Sequence, residues 1–302
     1  MKPSDREHVQ RILERSDRRA ERMKEMRERV LARGDFEVAS VGERLIVAEG
    51  DSWFHFPGTD VLEVLEEGFG YSVETVAHRG DTLESMAHDE RQLDGFENRL
   101  RRLKDAGRTP RAILLSGGGN DIAGAFFPIF MNHRRSGLER INEDIVRGFF
   151  DVRLRAAFLS LISKFGALCQ RHFRPSDLPL PVLVHGYAHA VPDGRGFWGG
   201  WSLLPGPWLE PGFEVRGYGG DDMLPANTEV MRTLIDRFNA MVESLPEEPG
   251  FEHVRYVDLR PLLSNDPARY LDDWADELHP TSRGFAAVAG KFDEILRPIV
   301  DR

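Results

Sequence analysis

One cysteine in 302 residues, Cys169, has no partner for an intramolecular disulfide and argues against a cysteine-based metal site. Its apolar helical surroundings read as a place for a buried structural thiol. Long apolar runs are missing too. No stretch approaches the roughly 18 consecutive apolar residues of a membrane span. The first residues read as a charged helix rather than a signal peptide's apolar core, so a cytoplasmic protein is expected. Gly117-Gly118-Gly119 is followed by neither Lys-Ser/Thr nor a Gly-x-Gly-x-x-Gly spacing, which argues against a nucleotide loop. There is no internal repeat and no low-complexity tract. Positive charge is outweighed outside the N-terminus: the net charge is −10, yet residues 1–34 carry +4, leaving −14 on the remaining 268. An acidic body lacks the clustered cations that phosphate binding needs, so nucleic acid is not expected as a partner.

What is present is an ordinary globular composition, 41% hydrophobic and 30% charged, able to bury one large core or two modest ones. Ser4 and Glu7 form a capping-box pattern, and Val9, Ile12, Leu13, Ala20, Met23, Val30 and Leu31 recur at helical spacing up to Gly34. Residues 1–40 are therefore expected as an amphipathic helical segment that docks on the body or contacts a second copy. Strands are expected from Leu45 up to the Gly50-Asp51-Ser52 turn, and at Tyr71–Ala77, Ala112–Ser116, Pro181–Val184 and Val254–Asp258. Helices are expected after Thr59 or Asp60, up to Lys104, over Asn227–Leu245 and over Gly284–Val300. Strands alternating with helices at this spacing imply βαβ units and a parallel sheet. Residues 122–175 and 193–225 interrupt the rhythm, the first apolar and helical, the second irregular and rich in glycine, proline and aromatics.

The stretch Leu45-Ile46-Val47-Ala48-Glu49-Gly50-Asp51-Ser52-Trp53 is read as a buried strand delivering a hydroxyl to its carboxyl end, where open parallel sheets bind ligands. A serine there is more often a turn former or helix cap than a nucleophile, so partners must be found elsewhere. Gly80 and Gly119-Asn120-Asp121 follow the next two strands, and Asp276-Glu277-Leu278-His279-Pro280 precedes the last helix, at the same edge. A serine hydroxyl attacks only when an imidazole accepts its proton and a carboxylate holds the other ring nitrogen. His279 and Asp276, three apart, can form that pair from one loop. The alternative is a helix N-terminus capped by Asp276 or Thr281 with His279 solvated, and for Gly80 a plain turn glycine.

This order of short motifs resembles the GDSL esterases and lipases, also called SGNH hydrolases, with Ser52, Gly80, Asn120 and His279 as the four block residues and Asp276 before the histidine. The resemblance covers the chain from about Leu45 to the C-terminus. It implies a three-layer α/β/α flavodoxin-like sandwich with a five-stranded parallel sheet over residues 41–302; the two insertions, which both leave the body from the catalytic edge, are expected to fold over Ser52 as a cap. It also implies Ser52, His279 and Asp276 as the catalytic triad, with an oxyanion hole from the backbone N–H groups of Ser52 and Gly80 and the Asn120 side-chain amide. Trp53 stands where the family motif has leucine, a departure that bears on substrate size. Asp51 and Asp121 are given structural roles in the turns.

Trp53, His55, Tyr187, Trp198, Trp201 and Trp208 are candidate pocket residues, with a second small aromatic core as the alternative for those in the insertion. His55, His78, His185 and His189 are read as pocket-lining or satisfied polar residues, since no third ligand can be named. Neither metal nor cofactor is called for. The expected partner is a small-molecule, lipid or carbohydrate ester, and the activity ester hydrolysis through an acyl-enzyme. Acyl transfer from the same site, or a non-catalytic binding protein on this scaffold, are the alternatives.

Overall fold

The computed structural model describes residues 44–197 and 204–301. The expected N-terminal helix, Trp198 and Trp201 lie outside the described residues. Leu45–Gly50 forms β1 with every residue buried, which is why its apolar run is continuous rather than alternating. Helix α1, Val61–Phe69, starts where the Asp60 carboxylate accepts the Glu63 N–H at 2.9 Å and stops at Gly70, whose φ of +73° suits glycine.

Strand β2 covers Ser72–Thr75, shorter at both ends than expected. The polar stretch expected as a single helix is two, α2 at Leu83–His88 and α3 at Glu90–Asp105. Asp89 breaks it by leaving the helical conformation (ψ 118°) and caps α3 through the Arg91 N–H. Strand β3, Ala112–Ser116, falls where it is expected. A short helix α4 covers Gly119–Ile122, and a 3-10 stretch covers Gly124–Phe130. Helix α5, Glu143–Arg147, runs through a π-helical stretch at Gly148–Leu154 into α6, Arg155–His172.

Strand β4, Val182–His185, is followed by the irregular insertion and by α7 at Glu210–Val215. Helix α8 spans Leu224–Glu243, β5 Val254–Val257, α9 Tyr270–Asp273 and α10 Ser282–Val300. The sheet order is β2-β1-β3-β4-β5 and every pairing is parallel. Helices cover both faces: α1 packs against α10, while α2 and α3 pack against α6, where Phe96 stacks on Phe165 at 4.2 Å between ring centroids. The flavodoxin-like α/β architecture is thus the expected one.

Connections leave β1 toward β2 on one side and β3 starts on the other, so the crevice between the ends of β1 and β3 is the topological switch point. Ser52 and Asn120 stand on its two sides. Cys169 is buried in α6, and burial pushes its thiol up to about 12, which keeps it protonated and unreactive. No helix among the described residues is long and apolar enough to cross a membrane.

Candidate active site

Gly50 ends β1 against Ser116 of β3. A Cβ on Gly50 would stand 2.7 Å from the Ser116 Cβ, so glycine is what lets the two strand ends approach. The chain then turns, with the Phe54 N–H donating to the Asp51 carbonyl at 3.1 Å, and Ser52 is carried to the sheet edge. Asp51 holds this turn from beneath. Its Oδ1 accepts the Trp53 N–H at 3.0 Å and lies 2.7 Å from the Ser116 hydroxyl, while Oδ2 accepts the Tyr187 hydroxyl at 2.6 Å. One carboxylate therefore ties together the ends of β1, β3 and β4.

The Asp51–Ser116 pair continues to His185, whose Nε2 is 2.7 Å from the Ser116 hydroxyl and whose Nδ1 is 2.6 Å from the Gly186 carbonyl. This is a second serine, histidine and aspartate in contact. Ser116 and His185 have no exposed surface, and burial holds the His185 imidazole below its ordinary value, toward the neutral form. A set sealed in this way cannot meet a substrate; its work is to fix the floor of the site.

At the edge itself, His279 Nε2 is 2.8 Å from the Ser52 hydroxyl, 227 residues away in sequence. His279 Nδ1 is 2.9 and 3.0 Å from the two Asp276 oxygens. A carboxylate only accepts, so Nδ1 carries the proton and Nε2 presents its lone pair to the serine. Asp276 Oδ1 also accepts the Leu278 and His279 N–H groups, each at 2.8 Å, so the short loop is wound around the carboxylate that orients the ring. Thr281, not Asp276, caps α10 by accepting the Gly284 N–H. With the cap supplied, Asp276 is left to the imidazole, and His279 is buried rather than solvated.

Gly80 is the third residue of a turn closed by the Asp81 N–H and the His78 carbonyl, at φ +87°. It is a turn glycine, as the plain reading has it, and it also borders the site. The Asn120 side-chain nitrogen donates to the Asp81 carbonyl at 2.8 Å, which fixes the amide plane and leaves its second N–H to another acceptor. Thr82 caps α2, and the Asp121 carboxylate accepts the Leu83 and Glu84 N–H groups of its first turn at 2.7 and 3.3 Å.

Ser52, Gly80, Asn120 and His279 line one cavity of about 370 Å³, with Phe56, Phe197 and Trp208 among its walls. The Phe56 and Trp208 rings lie 4.5 and 5.4 Å from the His279 ring. Trp53 and Tyr187 line a second, smaller cavity behind Ser52. The Trp53 indole donates to the Leu278 carbonyl at 3.1 Å and so joins the serine turn to the histidine loop. His55 lines neither cavity; its ring lies 5.7 Å from that of His78. His189 pairs with Asp236 at 2.9 Å, and among the described residues no group of three or more His, Cys, Asp and Glu side chains is arranged to hold a metal ion.

Two residues have no counterpart in the sequence reading. Phe56, next to the His55 chosen from sequence, is the aromatic that meets the imidazole. Glu277, a fully buried carboxylate, accepts four backbone N–H groups: Gly194 and Glu210 at 3.0 Å, Trp208 at 2.6 Å and Leu209 at 2.7 Å. It binds both flanks of the aromatic insertion to the histidine loop and so sets Trp208 against His279. Burial raises its carboxyl to about 7 in spite of those four donors. Farther from the edge the two insertions meet, Phe127 of the first against Phe213 of the second at 5.1 Å, both within the one continuous core of the body.

Glu49, at the end of β1, has a buried carboxyl whose Oε1 accepts the Gly50 N–H at 2.9 Å. Burial, outweighing that bond and reinforced by the Asp81 charge, raises it to about 8. A carboxyl raised from 4.5 stabilises the fold fully below pH 4.5, and that contribution is lost as pH rises through about 8. Unfolding in denaturant should therefore show lower stability at pH 9 than at pH 5, and Glu49→Gln should flatten this dependence by on the order of a few kcal/mol. An unchanged slope in the variant would assign it to other groups.

Among solved structures the chain is similar to a lipase, Lip_vut3, from a goat rumen metagenome, with 14% identity, a TM-score of 0.47, and coverage of 83% of this chain and 96% of that one. It is also similar to a carbohydrate acetylesterase family member from Sinorhizobium meliloti, at 14% identity and a TM-score of 0.45 over 86% of this chain and 100% of that one. The psychrotrophic esterase EstA from Pseudoalteromonas sp. matches at 12% identity and a TM-score of 0.40, over 86% and 100%. No curated protein matches the chain. The sequence profile of the GDSL-like lipase/acylhydrolase family matches residues 42–287, most of the chain and every residue of the site, and the protein therefore belongs to that family.

Proposed function

We propose that the protein is a serine-dependent carboxylic ester hydrolase working through an acyl-enzyme on Ser52. The observation that carries this reading is the unbroken run of contacts from the Ser52 hydroxyl to His279 and on to Asp276, at 2.8 and 2.9 Å, at the wall of an open cavity. His279 takes the Ser52 proton as Oγ bonds to the ester carbonyl carbon. The negative charge that develops on the carbonyl oxygen is met by the N–H groups of Ser52 and Gly80 and by the Asn120 amide. His279 then gives its proton to the departing alcohol as the carbon–oxygen bond breaks. Water enters on the same side and loses a proton to His279 as its oxygen bonds to the acyl carbon. The bond from that carbon to Ser52 Oγ then breaks, Ser52 takes the proton back from His279 and the acid leaves. Asp276 keeps the ring in the tautomer that both halves need and stabilises the imidazolium between them.

Labelling by a fluorophosphonate tests the reading. The wild type should take up one phosphonate per chain and Ser52→Ala none, with both proteins folded by circular dichroism. Uptake that survives Ser52→Ala, or no uptake by the folded wild type, contradicts it.

A further inference from the structure

Two cavities meet at Ser52, and they differ in size and in what they hold. The larger one, about 370 Å³, is lined by Ser52, Gly80, Asn120 and His279. The other, about 70 Å³, shares Ser52, Asn120 and Leu278 with it but includes neither His279 nor Gly80. Beyond the shared residues its walls are mostly apolar, among them Ile122, Ala188, Leu209, Met231 and Ile235.

Proton transfer decides which part of an ester goes where. When the tetrahedral carbon collapses, the bond to the alcohol oxygen breaks and that oxygen takes the proton held by His279 Nε2. The alcohol must therefore lie in the cavity that His279 lines. The oxyanion is committed to Asn120 and Gly80, and Ser52 Oγ is the third substituent. The acyl chain is the fourth, and the space still touching Ser52 is the small apolar cavity. Interiors hold few voids larger than a water molecule, and an apolar one that opens onto a nucleophile is more than a packing fault.

Resting on the hydrolase reading, we infer that this small cavity is the acyl subsite and that the enzyme takes esters of short acyl groups, from acetyl to butanoyl, on an alcohol of considerably larger size. Its volume of 70 Å³ is about half the roughly 150 Å³ of an apolar cavity that admits a benzene ring, which leaves room for a short alkyl chain and no more. A longer chain in this cavity would press on buried side chains, and overpacking is penalised. Met231, on α8, and Ile235, one turn later, set the wall that would have to move. The alcohol side has about five times the volume, bordered by Phe56, Phe197 and Trp208, so the bulk of the substrate is carried there.

The test holds the alcohol constant and varies the acyl chain: p-nitrophenyl acetate, butanoate, hexanoate and octanoate on the wild type and on Met231→Ala, with fluorophosphonate titration counting competent sites in each. The expected kcat/KM for acetate or butanoate exceeds that for octanoate by about tenfold or more, and Met231→Ala raises the octanoate-to-butanoate ratio by about tenfold, the scale of one or two methylenes in an apolar pocket. Ile235→Ala replaces Met231→Ala where the latter does not fold. Wild-type preference for octanoate, or a ratio unmoved in a variant with a full count of sites, overturns the subsite while leaving the hydrolase reading intact. No turnover of any ester together with no phosphonate uptake overturns both.

Discussion

His279→Ala should lower kcat for ester hydrolysis by about 10,000-fold or more while leaving the protein folded. That factor is about 5.5 kcal/mol of lost transition-state stabilisation, since each tenfold is about 1.36 kcal/mol. The size follows from the double use of one nitrogen. In the proposed mechanism Nε2, 2.8 Å from the Ser52 hydroxyl, is both the base that creates the nucleophile and the acid that releases the alcohol. Alanine removes both, and among the described residues no other imidazole lines the cavity. Asp276→Ala should also be severe, though milder, because the ring survives but loses the acceptor that fixes its tautomer. The same carboxylate winds the 276–279 loop, so Asp276→Asn, which retains one acceptor oxygen, separates loss of orientation from loss of the loop. Steady-state kinetics beside a thermal melt checks each variant. A His279→Ala protein that keeps its melt and loses less than tenfold in kcat would remove the imidazole from the chemistry.

Asn120→Ala should cost about 100-fold to 1,000-fold in kcat with little change in KM, the range for one lost oxyanion donor. The split between the two constants is the informative part. A donor aimed at the charge that develops in the transition state adds little to ground-state binding, so its loss appears in kcat. Its bond to the Asp81 carbonyl, 2.8 Å long, holds the amide before any substrate arrives, and in the proposed mechanism that prior orientation makes the donor effective. Asn120→Asp should be at least as poor, because a carboxylate faces both the Asp81 carbonyl and the growing oxyanion. A rise in KM with unchanged kcat would instead make Asn120 a binding residue of the cavity wall.

The sheet was legible because its signal is local. The β-branched run at Leu45–Gly50 and the apolar Ala112–Ser116 are strands buried on both faces, and neither reading needs a distant partner. The positions of Ser52, Gly80, Asn120 and His279 at one edge followed from counting strands and turns, since parallel strands deliver their carboxyl ends to the same side. Asp89 was harder, since a capping aspartate inside a polar helical stretch resembles any exposed one until the chain is seen to break there. Glu277 had no local signal whatever. Its neighbours in sequence are a loop, and its function as a clamp comes from backbone groups 67 to 83 residues away. His55 and Phe56 differ by one position in a turn, and which of them faces the imidazole depends on backbone angles that a spacing rule does not supply. The sealed Asp51–Ser116–His185 set was likewise foreseen only in part, as structural roles for Asp51 and His185 without the serine that joins them.

That sealed set makes peptide mapping of the phosphonate adduct the most direct test of the central claim, because two serines among the described residues are in contact with a histidine. The account predicts a single modified peptide, with the phosphonate on Ser52. An adduct on Ser116, or on any residue away from the cavity shared by Gly80, Asn120 and His279, would contradict it.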